Sequence, residues 1–203
     1  QTATVGSTVA TAPSVTITDQ HGNPVANVSV TFAPSGNGSV SGSPATTDAS
    51  GVATVGSWTV ATAVGANPLT ATAGALSTSS SATGTVGAPA NIARTAGDGQ
   101  TATVGSTVAT APSVTITDQH GNPVAGVSVT FAASGNGSAS GSPATTNASG
   151  VATVGSWTLA TTAGGNTLTA TAGALSASSN ATGTVGAATN IARTAGDGQT
   201  AAV

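Results

Sequence analysis

The sequence predicts an all-β protein made of tandem two-layer sandwiches. Three observations predict it: an internal repeat of 99 residues, apolar residues spaced by two, and turn residues at short regular intervals. Gln1-Thr2-Ala3-Thr4-Val5-Gly6 returns as Gln100-Thr101-Ala102-Thr103-Val104-Gly105, and the run begins again at Gln199-Thr200-Ala201. The two full copies align without a gap and differ at 13 of 99 positions. About 100 residues is the size of one small β-sandwich, so one repeat is one domain. Copies this alike point to a protein built for length or copy number rather than around one unique site.

The elements follow in order along the second copy. Asn91 to Thr95 and Gln100 to Val104 are the opening strands. Ser113-Val114-Thr115-Ile116-Thr117 alternates small polar with β-branched apolar residues, the pattern of a half-buried antiparallel strand. His120-Gly121-Asn122-Pro123 then turns the chain: the glycine supplies φ > 0 and the proline fixes the exit. Val127-Ser128-Val129-Thr130-Phe131 alternates again and ends at Ser134-Gly135-Asn136-Gly137-Ser138. Asn147-Ala148-Ser149-Gly150 leads into Val151 to Val154, and Trp157-Thr158-Leu159 follows. Gly164-Gly165-Asn166 precedes Thr167 to Ala172, and Gly173-Ala174-Leu175 precedes a last strand from Ser178 to Val185. That makes seven or eight short strands per copy. Nothing longer than a turn carries a helical period. Phe32 and Trp58, then Phe131 and Trp157, are the aromatic residues, one pair per copy, and are expected to anchor each core. The competing role, sugar stacking by Trp58 or Trp157, calls for several exposed aromatics, which the chain lacks.

Composition narrows the function. Only 3% of the 203 residues are charged, against roughly 25% in ordinary soluble domains. The charged set is Arg94 and Arg193 against Asp19, Asp48, Asp98, Asp118 and Asp197. A net charge of −3 gives no basic footprint for nucleic acid or anionic membrane. No apolar run approaches the length of a membrane span. With no cysteine there is no disulfide scaffold and no thiolate site. No signal peptide is visible, and the sequence opens inside a repeat, as a mature product or a fragment does.

Asp118-Gln119-His120-Gly121-Asn122-Pro123-Val124-Ala125-Gly126-Val127-Ser128-Val129-Thr130-Phe131 resembles the D-x-x-G-N-P-V-x-G-V-x-V-x-F hallmark of bacterial immunoglobulin-like domains of the invasin/intimin type. Thr146-Asn147-Ala148-Ser149-Gly150-Val151-Ala152 is similar to that family's T-[DN]-x-x-G-x-A turn, and the first copy repeats both patterns from Asp19 to Phe32 and from Thr47 to Ala53. The resemblance covers essentially the whole chain. It implies tandem immunoglobulin-like β-sandwiches on the bacterial cell exterior, serving as a stalk or adhesin without catalysis. The low charge departs from an adhesin that binds through surface charge.

Two Gly-rich breaks compete as boundaries: Val86-Gly87-Ala88-Pro89, answered by Val185-Gly186-Ala187-Ala188, and Ala96-Gly97-Asp98-Gly99. In the family the first strand precedes the G-D-G-Q segment, which favours boundaries at Gly87 and Gly186. Residues 88–187 then form a complete sandwich. Residues 1–87 form one lacking its first strand, and residues 188–203 carry a spare first strand, Asn190-Ile191-Ala192-Arg193-Thr194. This frame gives three expectations. Residues 188–198 of one chain complete residues 1–87 of another, head to tail, by strand addition, or the sequence is a window of a longer covalent array, or the free end stays unpaired. The corresponding functions are a structural stalk, fibre or filament whose partners are other copies of itself, and an adhesin whose ligand-binding tip lies outside this chain.

No catalytic residue, cofactor or metal is expected. His21 and His120 each lie two residues after an Asp, inside a tight turn that the Asp side chain can close. Two histidines in separate domains do not build a metal site. Calcium calls for several carboxylates, each copy offers at most three Asp, and Asp48 is Asn147 in the second copy. Arg94 is a nearer partner for Asp98. The Thr115/Thr117 and Thr169/Thr171 rows fit an ice or crystal face, and equally the ordinary β propensity of a solvent face. Asn27, Asn37, Asn136, Asn147 and Asn180 head Asn-x-Ser/Thr triplets, which are glycan acceptors in a secreted setting.

Overall fold

A computed structural model describes residues 1–202, leaving residue 203 at the end of segment 188–203 outside the described residues. The first copy forms β1 (Thr2–Thr4), β2 (Ser14–Thr16), β3 (Ser29–Pro34), β4 (Ser39–Ser41), β5 (Ala45–Thr46), β6 (Val52–Thr54), β7 (Ser57–Thr59), β8 (Gly65–Ala73) and β9 (Leu76–Thr85). The second forms β10 (Asn91–Ala96), β11 (Gln100–Thr103), β12 (Ser113–Thr117), β13 (Ser128–Ala133), β14 (Ser138–Ser140), β15 (Ala144–Thr145), β16 (Val151–Thr153), β17 (Ser156–Thr158), β18 (Gly164–Ala172) and β19 (Leu175–Thr184). Among the described residues there is no helix.

Each copy builds one five-stranded sheet, β1-β9-β8-β3-β5 and β11-β19-β18-β13-β15. The opposing layer is made of short pairings: β2-β6 and β4-β7 in the first copy, β10-β12-β16 and β14-β17 in the second. The long hairpin is antiparallel, Leu168 facing Ser179, while β11 runs parallel to β19. Contact density divides the chain into two compact units. One holds residues 1–93, 115–127 and 145–152, and the other holds the remaining described residues. The turns at 115–127 and 145–152 therefore group with the first unit, although the 99-residue period places them in the second copy.

The period of two explains the layers. Along β13, Val129 and Phe131 are buried while Ser128 and Thr130 face out; along β18, Asn166, Leu168, Ala170 and Ala172 are buried in turn. Phe32, Trp58, Phe131 and Trp157 are 3%, 1%, 5% and 0% exposed. In the first copy Trp58 and Phe32 pack in one cluster with Val30, Val55, Leu69 and Ala71.

Side chains, most of them neutral, close the buried backbone. The Asn166 carboxamide accepts from the Ala160 N–H at 2.8 Å and donates to the Gly164 carbonyl at 3.2 Å. The Thr146 hydroxyl accepts from Val127 N–H and donates to the Val124 carbonyl. The Ser142 hydroxyl does both for Phe131. Asp118 Oδ1 accepts from the N–H groups of His120 and Asn122, so the D-x-H-G-N turn is closed by its own side chain, with Gly121 at φ +86°. Asn147 Oδ1 does the same for Ser149 and Val151, as Asp48 Oδ1 does for Ser50 and Val52. An acceptor is all that turn needs, which is why Asp and Asn interchange there.

Candidate assembly site

Ser14-Val15-Thr16-Ile17-Thr18 and Ser113-Val114-Thr115-Ile116-Thr117 are the same five residues. Any difference between them therefore comes from their neighbours. In the second copy all five are strand, held between β10 and β16, and Val114 and Ile116 are 2% and 0% exposed. In the first copy only three are strand, paired to β6 alone, and Val15 and Ile17 are half-buried. The place beside β2 that β10 takes beside β12 is an open groove of ≈ 320 Å³. Val15 and Ile17 line it together with Val30, Ala71 and Ala73, and Leu76, Ser77 and Thr78 complete it. Leu76 is 59% exposed, whereas its counterpart Leu175 is half-buried.

Residues 89–99 fill the corresponding place in the second copy. The Ala90 N–H donates to the Thr117 carbonyl at 2.9 Å, and the Gly99 N–H donates to the Asn180 carbonyl at 2.8 Å. Asp98 Oδ1 accepts from the Asn180 N–H at 2.8 Å, the chief reason its carboxyl sits below the ordinary range. The segment thus reaches both β12 and β19. It carries one ion pair, Arg94–Asp98 at 2.6 Å, open to solvent on both sides and so of small weight.

The spare segment, Asn190 to Thr194, forms no strand. Ile191 is 101% exposed, and Arg193 pairs with Asp197 four residues on. The expected assembly residues therefore stand apart from the rest of the chain, and the four aromatics stand apart from the groove. Sequence reasoning named the spare segment but not the groove residues Val15, Ile17 and Leu76. Their side chains carry no distinguishing signal, because the second copy has the same residues under cover.

The two Asp–His pairs are turns. Asp19 and Asp118 accept from the backbone N–H of His21 and His120, while the rings meet the side chains of Gln20 and Gln119. Among the described residues no three His or Asp side chains converge as metal ligands.

Asp118 is fully buried. Burial raises its pKa, but donors outweigh that. The Asn122 side chain and the Gly87 N–H reach Oδ2 at 2.9 and 3.0 Å, the Asn122 and His120 N–H groups reach Oδ1, and the pKa falls to about 2. A lowered folded-state pKa contributes stability above the unfolded value of 3.8, and that stability is lost as pH falls through about 2. The melting temperature should accordingly drop between pH 4 and pH 2, more steeply in the native chain than in Asp118→Asn. Parallel pH profiles would remove Asp118 as the cause.

No family model and no curated protein matches the sequence. Solved structures do. InvD of Yersinia pseudotuberculosis is similar over 90% of this chain and 54% of its own, at 21% identity and a TM-score of 0.51. The D0-D1 domain of intimin is similar over 90% of this chain and 93% of its own, at 25% identity and a TM-score of 0.38. Invasin, described as a bacterial integrin-binding protein, is similar over 90% of this chain and 38% of its own, at 22% identity and a TM-score of 0.43. The chain thus spans about half of the InvD structure and less of invasin. The InvD likeness supports the immunoglobulin-like β-sandwich fold expected from the turn motifs.

Proposed function

We propose that this chain is a non-catalytic structural repeat of the bacterial cell exterior, a unit of a stalk, fibre or filament. In this reading residues 1–87 are a sandwich lacking its first strand and residues 88–187 a complete one. Residues 188–198 of one copy seat in the groove of the next, head to tail. One observation carries the reading: the groove beside β2 is open where residues 89–99 cover its twin. Residues 190–198 repeat residues 91–99 without a change and present a fully exposed Ile191. The only differences in the longer segment are Pro89/Ala188 and Ala90/Thr189.

Seating satisfies two demands at once. A strand gains main-chain hydrogen bonds along the β2 edge, and the apolar faces of Val15, Ile17, Leu76 and Ile191 leave water. Burying one isoleucine contributes about 1.5–3 kcal/mol. Few charges oppose the approach of one copy to the next. The contact is heterologous and repeats without closing. The adhesive function expected of such domains elsewhere is compatible with this mechanical one, because a stalk can carry a tip.

The test is concentration-dependent mass by sedimentation velocity, with electron microscopy of the products. The native chain should form a head-to-tail ladder of species. Ile191→Asp should stay monomeric, and a free peptide of residues 89–99 should cap the groove and shorten the ladder. A native chain that remains monomeric at its highest soluble concentration, with β2 amides protected from exchange, would falsify strand seating.

A further inference from the structure

The apolar groove explains why a strand binds but not why this strand binds. A groove lined by valine, isoleucine, alanine and leucine accepts many alternating segments. The polar contacts around residues 89–99 are far more particular, and each one has a counterpart position in the first copy.

Around β10 these contacts form two groups. At one end the Gly87 N–H donates to Asp118 Oδ2 at 3.0 Å, and Asn91 Nδ2 donates to the Asp118 carbonyl at 3.1 Å. At the other, Arg94 donates to the Ser178 carbonyl at 3.2 Å, and Asp98 Oδ1 accepts from the Asn180 N–H at 2.8 Å. Gln100 closes the segment by donating to the Gly97 carbonyl at 2.9 Å. Shifting by 99 residues gives the first copy's equivalents. Asp19, Ser79, Ser81 and Gln1 take the receiving places, and Gly186, Asn190, Arg193, Asp197 and Gly196 take the places of the segment.

The receiving side is already shaped. Asp19 holds the same closed turn as Asp118, with Oδ1 accepting from His21 and Asn23 N–H at 2.8 and 2.9 Å. Its Oδ2 takes the Asn23 side chain at 2.9 Å, and the residue is exposed where Asp118 is fully buried. Gln1 keeps both of its bonds to Thr11, the equivalents of those from Gln100 to Thr110. On the donor side Arg193 and Asp197 are joined before seating, as Arg94 and Asp98 are within it. That pairing places a guanidinium and a carboxylate four residues apart, the spacing needed to meet Ser79 and Ser81.

We propose that the Asp19 turn and the Ser79 to Ser81 edge form a polar clamp selecting residues 186–197 of a second copy of this chain. The inference rests on strand seating as the mode of assembly, and it adds the residues that make the partner specific. Asn190 and Asp197 are the discriminating pair. Asn190 supplies a donor to the Asp19 carbonyl, and Asp197 supplies an acceptor to the Ser81 N–H. An alternating apolar strand without them leaves the Ser81 N–H desolvated without that acceptor and the Asp19 carbonyl with the Gly22 N–H alone.

Tail variants test this without touching the acceptor fold, since residues 190–197 form no strand in the free chain. Asn190→Ala and Asp197→Ala, each in the full chain, should weaken association about 10-fold, and together about 100-fold, by sedimentation velocity. Asp197→Asn keeps an acceptor and should recover most of the loss. If the native chain assembles and the double variant assembles equally well, the clamp is wrong while strand seating stands. If the native chain does not assemble, seating fails, and the clamp fails with it.

Discussion

Trp157→Ala is expected to lower the stability of the second sandwich by about 3–5 kcal/mol. Trp157 is 0% exposed, and no other tryptophan stands in that copy. Its neighbours on the strand pattern, Leu159, Leu168 and Phe131, are themselves 1%, 2% and 5% exposed. A cavity of indole size is not refilled by a core whose other side chains are all smaller. The buried indole N–H has no acceptor among the described residues, so the ring is held by packing and not by a polar bond. Trp157→Phe, which removes that N–H and keeps an aromatic ring, should therefore retain more stability than Trp157→Ala. Urea unfolding of the three proteins measures both effects. A loss under 1 kcal/mol for the alanine variant would mean that the core does not depend on this ring.

Gly150→Ala should be nearly as damaging, about 3 kcal/mol, for a backbone reason. Gly150 has φ +73°, a conformation that costs an L-residue about 1–2 kcal/mol. An added Cβ would also lie 2.5 Å from the Ile116 carbonyl oxygen and 3.1 Å from the Pro123 Cβ. That carbonyl belongs to the strand pairing, because the Val124 N–H donates to it and the Gly150 carbonyl accepts from Ile116 N–H. The methyl group cannot be accommodated without parting these bonds, and overpacking of this kind costs a further 1–3 kcal/mol or so. Gly121→Ala is the control. Gly121 has φ +86° but open space where the Cβ would go, so only the conformational cost, roughly 1 kcal/mol, applies. Equal losses at the two glycines would show that the clash is relieved by movement.

The strands with clear alternation were legible from sequence because burial on one face enforces it. Val127 to Phe131 and Thr167 to Ala172 are the plainest cases, and the long hairpin follows from Gly173 between two such runs. β14 and β15 were not legible: they have three and two residues, too few for a period to show. The last strand begins at Leu175 and not Ser178, because the tight turn at Gly173 lets pairing start at once, Ala172 against Leu175. The candidate site was half legible. The spare segment is visible as a repeat, Asn190 to Thr194. The groove is not visible, since Val15 and Ile17 read as core in both copies and only the absence of a neighbouring strand opens them. Asp118 shows the same limit. Its sequence predicts a turn, and only the fold brings the Gly87 amide to its second oxygen.

The interior closes its polar backbone with carboxamides and hydroxyls, as at Asn166, Thr146 and Ser142. Dipoles of this kind, buried against amides, present nothing for mobile ions to screen, whereas charge pairs lose their attraction beyond about 10 Å at 0.1 M salt. Apart from the buried Asp118 carboxylate, the two sandwiches are therefore held by forces that ionic strength scarcely reaches. The protein's mechanical properties are then set by the chain itself, nearly the same in dilute water and in brine.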